Sequence, residues 1–282
     1  MKNIALVAKR GKREALDLAR QLAGRYADRT FHADRHLAGA AGWPLPESDA
    51  AMVAQADLVI VLGGDGTMLH AARLHRGSRA PVLGVNLGSL GFTTEVAPEE
   101  LFHRLDDVFA GRFRVDERMK LACKLHRAGE VVLEEEVLND VVLSKGALAR
   151  IADHEMLIDG EFVTTYKADG VIISTPTGST AYSLSAGGPI VHPSMECVMV
   201  SPICSHALTQ RSLVVAADRA ISVILKGGTE DVFLTIDGQV GQPLHADDRV
   251  EVRRATSRFP LIRNPAMSYW QVLRQKLHWG ER

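Results

Sequence analysis

Gly63-Gly64-Asp65-Gly66-Thr67 stands between an apolar run, Asp57 to Leu62, and an amphipathic stretch, Thr67 to Leu74. That order predicts a buried strand, a glycine turn and a helix start. Glycine lets the backbone approach a ligand closely and take a positive φ where one is needed. Amides at a helix start face an anion, and the helix dipole favours negative charge there. Into this phosphate-friendly turn the chain places one carboxylate, Asp65. A carboxylate beside phosphates is costly unless it handles a proton or a metal-bound phosphate. The combination points to phosphoryl transfer to a hydroxyl. Glycine and Asp also serve ordinary turn and capping chemistry, so the triplet needs company. It is not a Walker A loop, because no Gly-x-x-x-x-Gly-Lys-Ser/Thr occurs. Nor is it a dinucleotide Gly-x-Gly-x-x-Gly, because Leu69 stands where the third glycine would.

The company lies further on. Asn139-Asp140 joins two apolar runs and is either a turn or a pair that binds a ribose diol, since a carboxylate accepts from two hydroxyls and an amide both donates and accepts. Lys167-Ala168-Asp169-Gly170 precedes the apolar Val171 to Ser174. Next comes Thr175-Pro-Thr-Gly-Ser-Thr-Ala-Tyr-Ser-Leu-Ser185, dense in hydroxyls and small residues and framed by apolar segments. Such a stretch suits a polar ligand, and Tyr182 offers a face for a base. Lys145 and Arg150 offer positive charge to a phosphate or to solvent. Asp237-Gly238-Gln239 reads as a hairpin turn. The eleven histidines show no His-Glu-x-x-His spacing, which argues against a catalytic zinc site.

These residues need elements to hold them. Ile4 to Ala8, Leu58 to Leu62 and Pro81 to Val85 read as buried strands. Ala15, Leu18, Ala19 and Leu22 have helical spacing within Lys12 to Leu22. A helix follows Thr67, and another is expected over Pro98 to Ala110, with Pro98 and Glu99 suited to its first turn. Residues 32 to 47, with Gly39, Gly42, Pro44 and Pro46, read as a loop, and Asn86 to Gly91 as a glycine loop. Strands alternating with helices imply a parallel sheet. After about residue 118 strands dominate, with Asp159-Gly160 as a hairpin signal. The final stretch, Ser268 to Leu277, is helical again. The expected division is an α/β domain over 1–118, with a C-terminal helix in 263–282 packing back on it, and a β-rich domain over 119–262.

Bulk properties narrow the class. The 282 residues suffice for one large domain or two ordinary ones. Hydrophobic residues make up 46% and charged residues 24% of the chain, which is the globular norm. A net charge of −1, from 33 basic and 34 acidic residues, leaves no electrostatic footprint for nucleic acid or an anionic membrane. Three scattered cysteines, Cys123, Cys197 and Cys204, make neither a disulfide framework nor a metal spacing, and imply a reducing compartment. No apolar run reaches signal-peptide or transmembrane length. A cytoplasmic protein is expected.

Taken in order, Gly-Gly-Asp-Gly-Thr, Asn-Asp, Asp-Gly-x-x-x-Ser-Thr-Pro-Thr-Gly-Ser-Thr-Ala-Tyr and Pro-Ile-Cys-x-His resemble the bacterial NAD kinases, from about Asp57 to the C-terminal helix. Gly-Gly-Asp alone is shared with diacylglycerol and sphingosine kinases and more distantly with phosphofructokinases. The stretch at 174–185 is far more specific. The resemblance implies an N-terminal α/β domain with a parallel sheet, a β-rich C-terminal domain, NAD bound between them, and a homodimer or homotetramer. It implies transfer of the γ-phosphate of ATP to the 2′-hydroxyl of the adenosine ribose of NAD, with Mg²⁺ accompanying the nucleotide. By the same resemblance, Asp65 looks like the proton acceptor, with Gly63, Gly64, Gly66 and Thr67 framing the phosphates. Asn139 and Asp140 would contact ribose. Asp169 and Ala181 match base-recognising positions, and Thr180, Ala181, Tyr182, Ser183, Leu184 and Ser185 would line the dinucleotide site. Lys167, Arg150 and Gln239 align with further ligand contacts, and Phe92 would pack beside the dinucleotide. Two departures stand out: Lys167 replaces a common arginine, losing its planar fork, and Ser205 replaces a common proline. A lipid kinase of the Gly-Gly-Asp group and a non-catalytic dinucleotide sensor are the alternatives.

Overall fold

The computed structural model describes residues 1–146, 152–207, 209–227 and 231–280. The chain divides into two compact units. One comprises Met1–Glu117 and Phe259–Arg282; the other is Arg118–Arg258.

The first unit is α/β. It opens with β1 (Asn3–Ala8), α1 (Arg13–Arg25) and β2 (Thr30–Ala33). There follow α2 (Arg35–Ala41), α3 (Asp49–Ala54), β3 (Leu58–Gly63), α4 (Asp65–Leu74) and β4 (Val82–Asn86). A 3-10 turn at Pro98–Glu100 leads into α5 (Leu101–Phe109). The strands lie in the parallel order β2-β1-β3-β4. β3 is buried along its whole length because helices cover both faces of a parallel sheet. Ala15, Leu18, Ala19 and Leu22 are the buried face of α1 and pack on Ile4, Leu6, Ile60 and Leu62. Each such aliphatic side chain contributes about 1.5–3 kcal/mol on full burial.

The second unit is all antiparallel. It contains most of β5 (Val115–Arg127), then β6 (Glu130–Val137), β7 (Asp140–Lys145), β8 (Ala152–Ile158), β9 (Glu161–Ala168) and β10 (Gly170–Ser174). A 3-10 turn at Gly178–Thr180 and the single turn α6 (Tyr182–Ser185) precede β11 (Cys197–Ile203). Five more strands complete it: β12 (Leu213–Ala216), β13 (Ile221–Lys226), β14 (Val232–Ile236), β15 (Val240–Leu244) and β16 (Arg249–Ile262). One sheet runs β12-β11-β10-β7-β14-β15, and the other joins β16, β13, β8 and β9, with β5 pairing β16 and β6. Inward residues of both sheets, among them Val141, Val171, Leu234, Met156, Val223 and Val250, form one core. Residues 259–262 of β16 belong to the first unit, where Leu261 pairs with Val82. Helix α7 (Tyr269–Leu277) closes the chain there, started by a capping box of Ser268 and Gln271.

Several sequence expectations are corrected. Residues 32–47 are not one loop, for they hold the end of β2 and all of α2. Asp34 caps α2 by accepting from Leu37 N–H at 2.8 Å. Gly42 ends that helix in the left-handed region at φ 72°. The glycine that suggested a break is the helix terminator. The expected helix over 98–110 begins as a 3-10 turn. β11 runs through a proline, which the local pattern alone does not mark as strand. Pro202 is tolerated there because β12 pairs only with residues 197–200, so that side of the strand is unpaired at Pro202. β15, with Gly241 and Pro243, sits at the sheet edge, where both are tolerated.

Candidate functional site

In the first unit, β3 delivers Gly63 and Gly64 to the start of α4, with Gly64 as N-cap and Asp65 in the first turn. None of Gly63, Gly64 and Gly66 has a positive φ. Their value is closeness rather than left-handed backbone. A Cβ on Gly63 would lie 2.2 Å from Thr67 Oγ1, whereas one on Gly64 or Gly66 would meet nothing within 4 Å.

Asp65 does not cap its own helix. Its Oδ2 accepts from Phe92 N–H at 2.9 Å, and its Oδ1 accepts from Thr93 N–H at 3.0 Å and the Thr93 hydroxyl at 2.6 Å. A carboxylate offers about four acceptor positions, so one remains on Oδ2. Gly91 permits this approach, because a Cβ there would fall 2.3 Å from Asp65 Oδ1. Beside Asp65 is a cavity of about 170 Å³ lined by Gly63, Gly64, Asn86, Gly88 and two lysines, Lys9 and Lys276. Lys276 Nζ stands 5.9 Å from the centroid of the Phe92 ring. That is the outer reach of a cation–π contact. Sequence reading missed both lysines. They come from opposite ends of the chain, and only the fold puts them at the same glycine loop.

In the second unit, the Asn139-Asp140 pair is held from two sides. Asp237, in the left-handed region at φ 49°, accepts from three successive N–H groups: Leu138 at 2.9 Å, Asn139 at 2.7 Å and Asp140 at 3.1 Å. Its own N–H donates to Asp140 O at 2.9 Å. From the other side the Thr175 hydroxyl donates to Leu138 O at 2.6 Å, Thr175 N–H donates to Asn139 O at 2.9 Å, and Thr175 Oγ1 accepts from Gly178 N–H at 3.0 Å. Gly178 is obligatory, since its Cβ would sit 2.2 Å from Asn139 O. The hydroxyl-rich stretch, the Asn-Asp pair and the Asp-Gly-Gln turn are therefore one cluster. Asp237, read from the sequence as a plain hairpin turn, is its centre.

The electrostatics follow from burial. Desolvation, and then the neighbouring Asp237 carboxylate, push the Asp140 carboxyl up to about 7. Desolvation raises Asp237 too, but three backbone N–H groups and Lys120 oppose it. Burial therefore holds the Asp140 carboxyl closer to its protonated form than a free aspartate at the same pH. A protonated Asp140 both donates to and accepts from a hydroxyl.

The remaining residues are spread. Ser183 is buried and faces Ser201, with their hydroxyl oxygens 3.4 Å apart, while Tyr182 and Ser185 are exposed. Thr180, Ala181 and Leu184 are half-buried, and Gln239 is exposed beside Asp237. Lys167 is exposed, and Asp169 pairs with Lys145 at 3.5 Å, so Lys145 is already neutralised. Ser174 pairs with Asp140 and Gly170 with Ser144. Asp169 therefore lies at the far end of β10, about 16 Å along the strand from Asn139-Asp140. The structure does not bring Lys167 and Asp169 to that pair. Arg150 lies outside the described residues. Among the described residues, no cluster of three or more His, Cys, Asp or Glu could hold a metal ion, and no helix is long and apolar enough to cross a membrane.

A parallel α/β unit with a carboxylate in a strand-to-helix glycine loop, followed by a two-sheet antiparallel unit, is the arrangement expected of a kinase of the Gly-Gly-Asp group. Residues 4–113 match the ATP-NAD kinase N-terminal domain, and residues 138–264 match the ATP-NAD kinase C-terminal domain. The NAD kinase of Geobacter sulfurreducens is 53% identical over 251 residues, covering 89% of this chain and 87% of that one. That of Citrifermentans bemidjiense is 50% identical over 288 residues, covering all of both chains. Among solved structures, yeast NADH kinase in complex with NADH superposes with a TM-score of 0.92 at 27% identity, covering 100% of this chain and 89% of that one. The chain belongs to the NAD kinase family, phosphotransferases with an alcohol acceptor.

Proposed function

We propose that this protein transfers the γ-phosphate of ATP to the 2′-hydroxyl of the adenosine ribose of NAD, giving NADP and ADP. The observation that carries the reading is Asp65, held in a glycine loop with one acceptor position left on Oδ2 and two lysines lining the same cavity. Phosphoryl transfer asks the protein chiefly for alignment and charge neutralisation. Gly63, Gly64, Gly66 and Thr67 would frame the phosphates, and Lys9 and Lys276 would neutralise them. The 2′-oxygen forms its bond to the γ-phosphorus as the bridging bond to ADP breaks, and the hydroxyl proton passes to Asp65. A weak base suffices, because in a loose transition state the proton leaves late.

Asn139 and Asp140 would hold a ribose. Thr180 to Ser185 and Gln239 would line the dinucleotide, with Phe92 packed beside it. Lys167, Asp169 and Arg150 would serve its more distant parts. The divalent cation, Mg²⁺, arrives with ATP. The glycine-loop cavity offers Asp65 as its single carboxylate, which fits an ion carried mainly by substrate phosphates. We place the protein in the cytoplasm, on its free cysteines, and expect a homodimer or homotetramer, which analytical ultracentrifugation reads directly.

The test mixes protein, ATP and Mg²⁺ with NAD or NADH and detects NADP or NADPH with an NADP-specific dehydrogenase, running Asp65→Asn in parallel. Product from the wild type alone supports the reading. NAD binding without product would turn it toward a sensor.

A further inference from the structure

A cavity of about 870 Å³ in the first unit shares no lining residue with the one at the glycine loop. Its size falls within the range of about 300–1,000 Å³ that holds small-molecule ligands. One wall is apolar, built from Leu83, Val96, Val108, Phe113, Ile262 and Met267. The polar lining is unbalanced, with four arginines, Arg104, Arg112, Arg114 and Arg263, against Asp107 and Asp116.

The arginines differ in how they are paired. Arg112 donates to Asp107 Oδ1 through Nε at 3.1 Å and Nη2 at 2.7 Å. Arg263 bridges Glu95 at 3.0 Å and Asp116 at 3.2 Å. Among the described residues, Arg104 meets Glu100 at 4.0 Å and helps to lower the Asp107 carboxyl, and its buried Nε has no hydrogen-bond partner. The Arg114 side chain makes no ion pair or hydrogen bond among the described residues. A buried donor without an acceptor is costly, and a guanidinium is shaped to take a carboxylate, phosphate or sulfonate through parallel bonds.

We propose that this cavity is a second ligand site, distinct from the phosphate-transfer site, that takes an amphipathic anion: an apolar body against Leu83, Val108 and Phe113, with its acidic group on Arg104 and Arg114. The chain leaves the first unit after Glu117 and re-enters it at Phe259. Phe113 to Asp116 and Ile262 to Pro265 both line the cavity, so a ligand there touches the chain on both passages. The inference does not depend on the kinase reading.

The probe is 8-anilinonaphthalene-1-sulfonate, which joins an aromatic body to one sulfonate, titrated into the full chain and followed by fluorescence and calorimetry. The expected result is one saturable site that persists with ATP and NAD at saturation. N-phenyl-1-naphthylamine, the same rings without the sulfonate, should bind at least about tenfold more weakly. The double variant Arg104→Gln, Arg114→Gln should weaken the sulfonate by about tenfold or more, toward the neutral probe. Val115→Trp, which fills the cavity from an exposed lining position, should abolish binding without touching either arginine, and keeps the test open if the double variant fails to fold. Displacement by ATP or NAD, equal affinity for the two probes, unchanged binding in the variants, or no saturable binding would each overturn the proposal.

Discussion

The Thr93 hydroxyl lies 2.6 Å from Asp65 Oδ1, so the carboxylate proposed to take the proton also anchors the loop after β4. Substitution separates the two roles. Asp65→Asn keeps one acceptor oxygen and cannot take the proton. Its kcat should fall by about 10²–10⁴-fold, the usual range for losing a general base, with NAD binding largely kept. Thr93→Val leaves the carboxylate and its two backbone bonds and loses one hydrogen bond, worth about 1 kcal/mol. Its kcat should fall by less than about tenfold. Steady-state kinetics of both variants decide, and equal losses would reduce Asp65 to an architectural residue.

Lys9 and Lys276 line the glycine-loop cavity with no acidic partner among the described residues. If they neutralise the triphosphate, Lys9→Met and Lys276→Met should each raise KM for ATP by about tenfold, one charge-assisted contact apiece. Affinity for NAD, titrated alone by calorimetry, should not change. Loss of NAD affinity with ATP kinetics intact would assign the lysines to the other substrate.

The two lysines also mark how far the sequence could be read. Gly63 to Thr67 was legible because an unbroken apolar strand, a glycine turn and a helical period meet within a dozen residues. The hydroxyl and small-residue density of residues 174–185 was legible from composition. Whatever depends on long-range closure was not. Asp237 carries an Asp-Gly hairpin signature that is locally complete, and nothing nearby shows that its carboxylate collects three amides from residues 138–140. β11 was hidden by Pro202, whose tolerance depends on where β12 stops. α2 was hidden by Gly42, which punctuates a helix end and a loop equally well.

The Asp237 clamp makes a prediction about substrate selectivity. An asparagine there accepts through one oxygen and turns its amide donors toward a backbone N–H. Asp237→Asn should cost about 1–3 kcal/mol of stability and raise KM for NAD several-fold, with KM for ATP unchanged. Urea unfolding and two-substrate kinetics read both effects. A selective loss of ATP binding would contradict the placement of the clamp under the dinucleotide.

Two buried groups give the second unit opposing pH responses. Asp140 titrates at 3.8 when unperturbed and is pushed up to about 7, so the folded chain holds a proton that the unfolded chain has released. Its contribution is full below 3.8 and is lost as pH rises through about 7. His154 does the reverse. It sits on β8 between Tyr166 and Leu225, with neither ring nitrogen hydrogen-bonded, and burial pushes it from 6.5 down to about 4. The unfolded chain takes up the proton first, so the contribution of His154 is present above about 6.5 and lost as pH falls toward 4. That contribution is on the order of 3 kcal/mol. Between about pH 4 and 6.5 the two slopes oppose and partly cancel in the wild type. Asp140→Asn should unmask the histidine, with stability falling more steeply on acidification. His154→Leu should unmask the carboxyl, with stability rising on acidification. Urea unfolding at several pH values compares the three proteins. Parallel curves would show that neither group shifts as assigned.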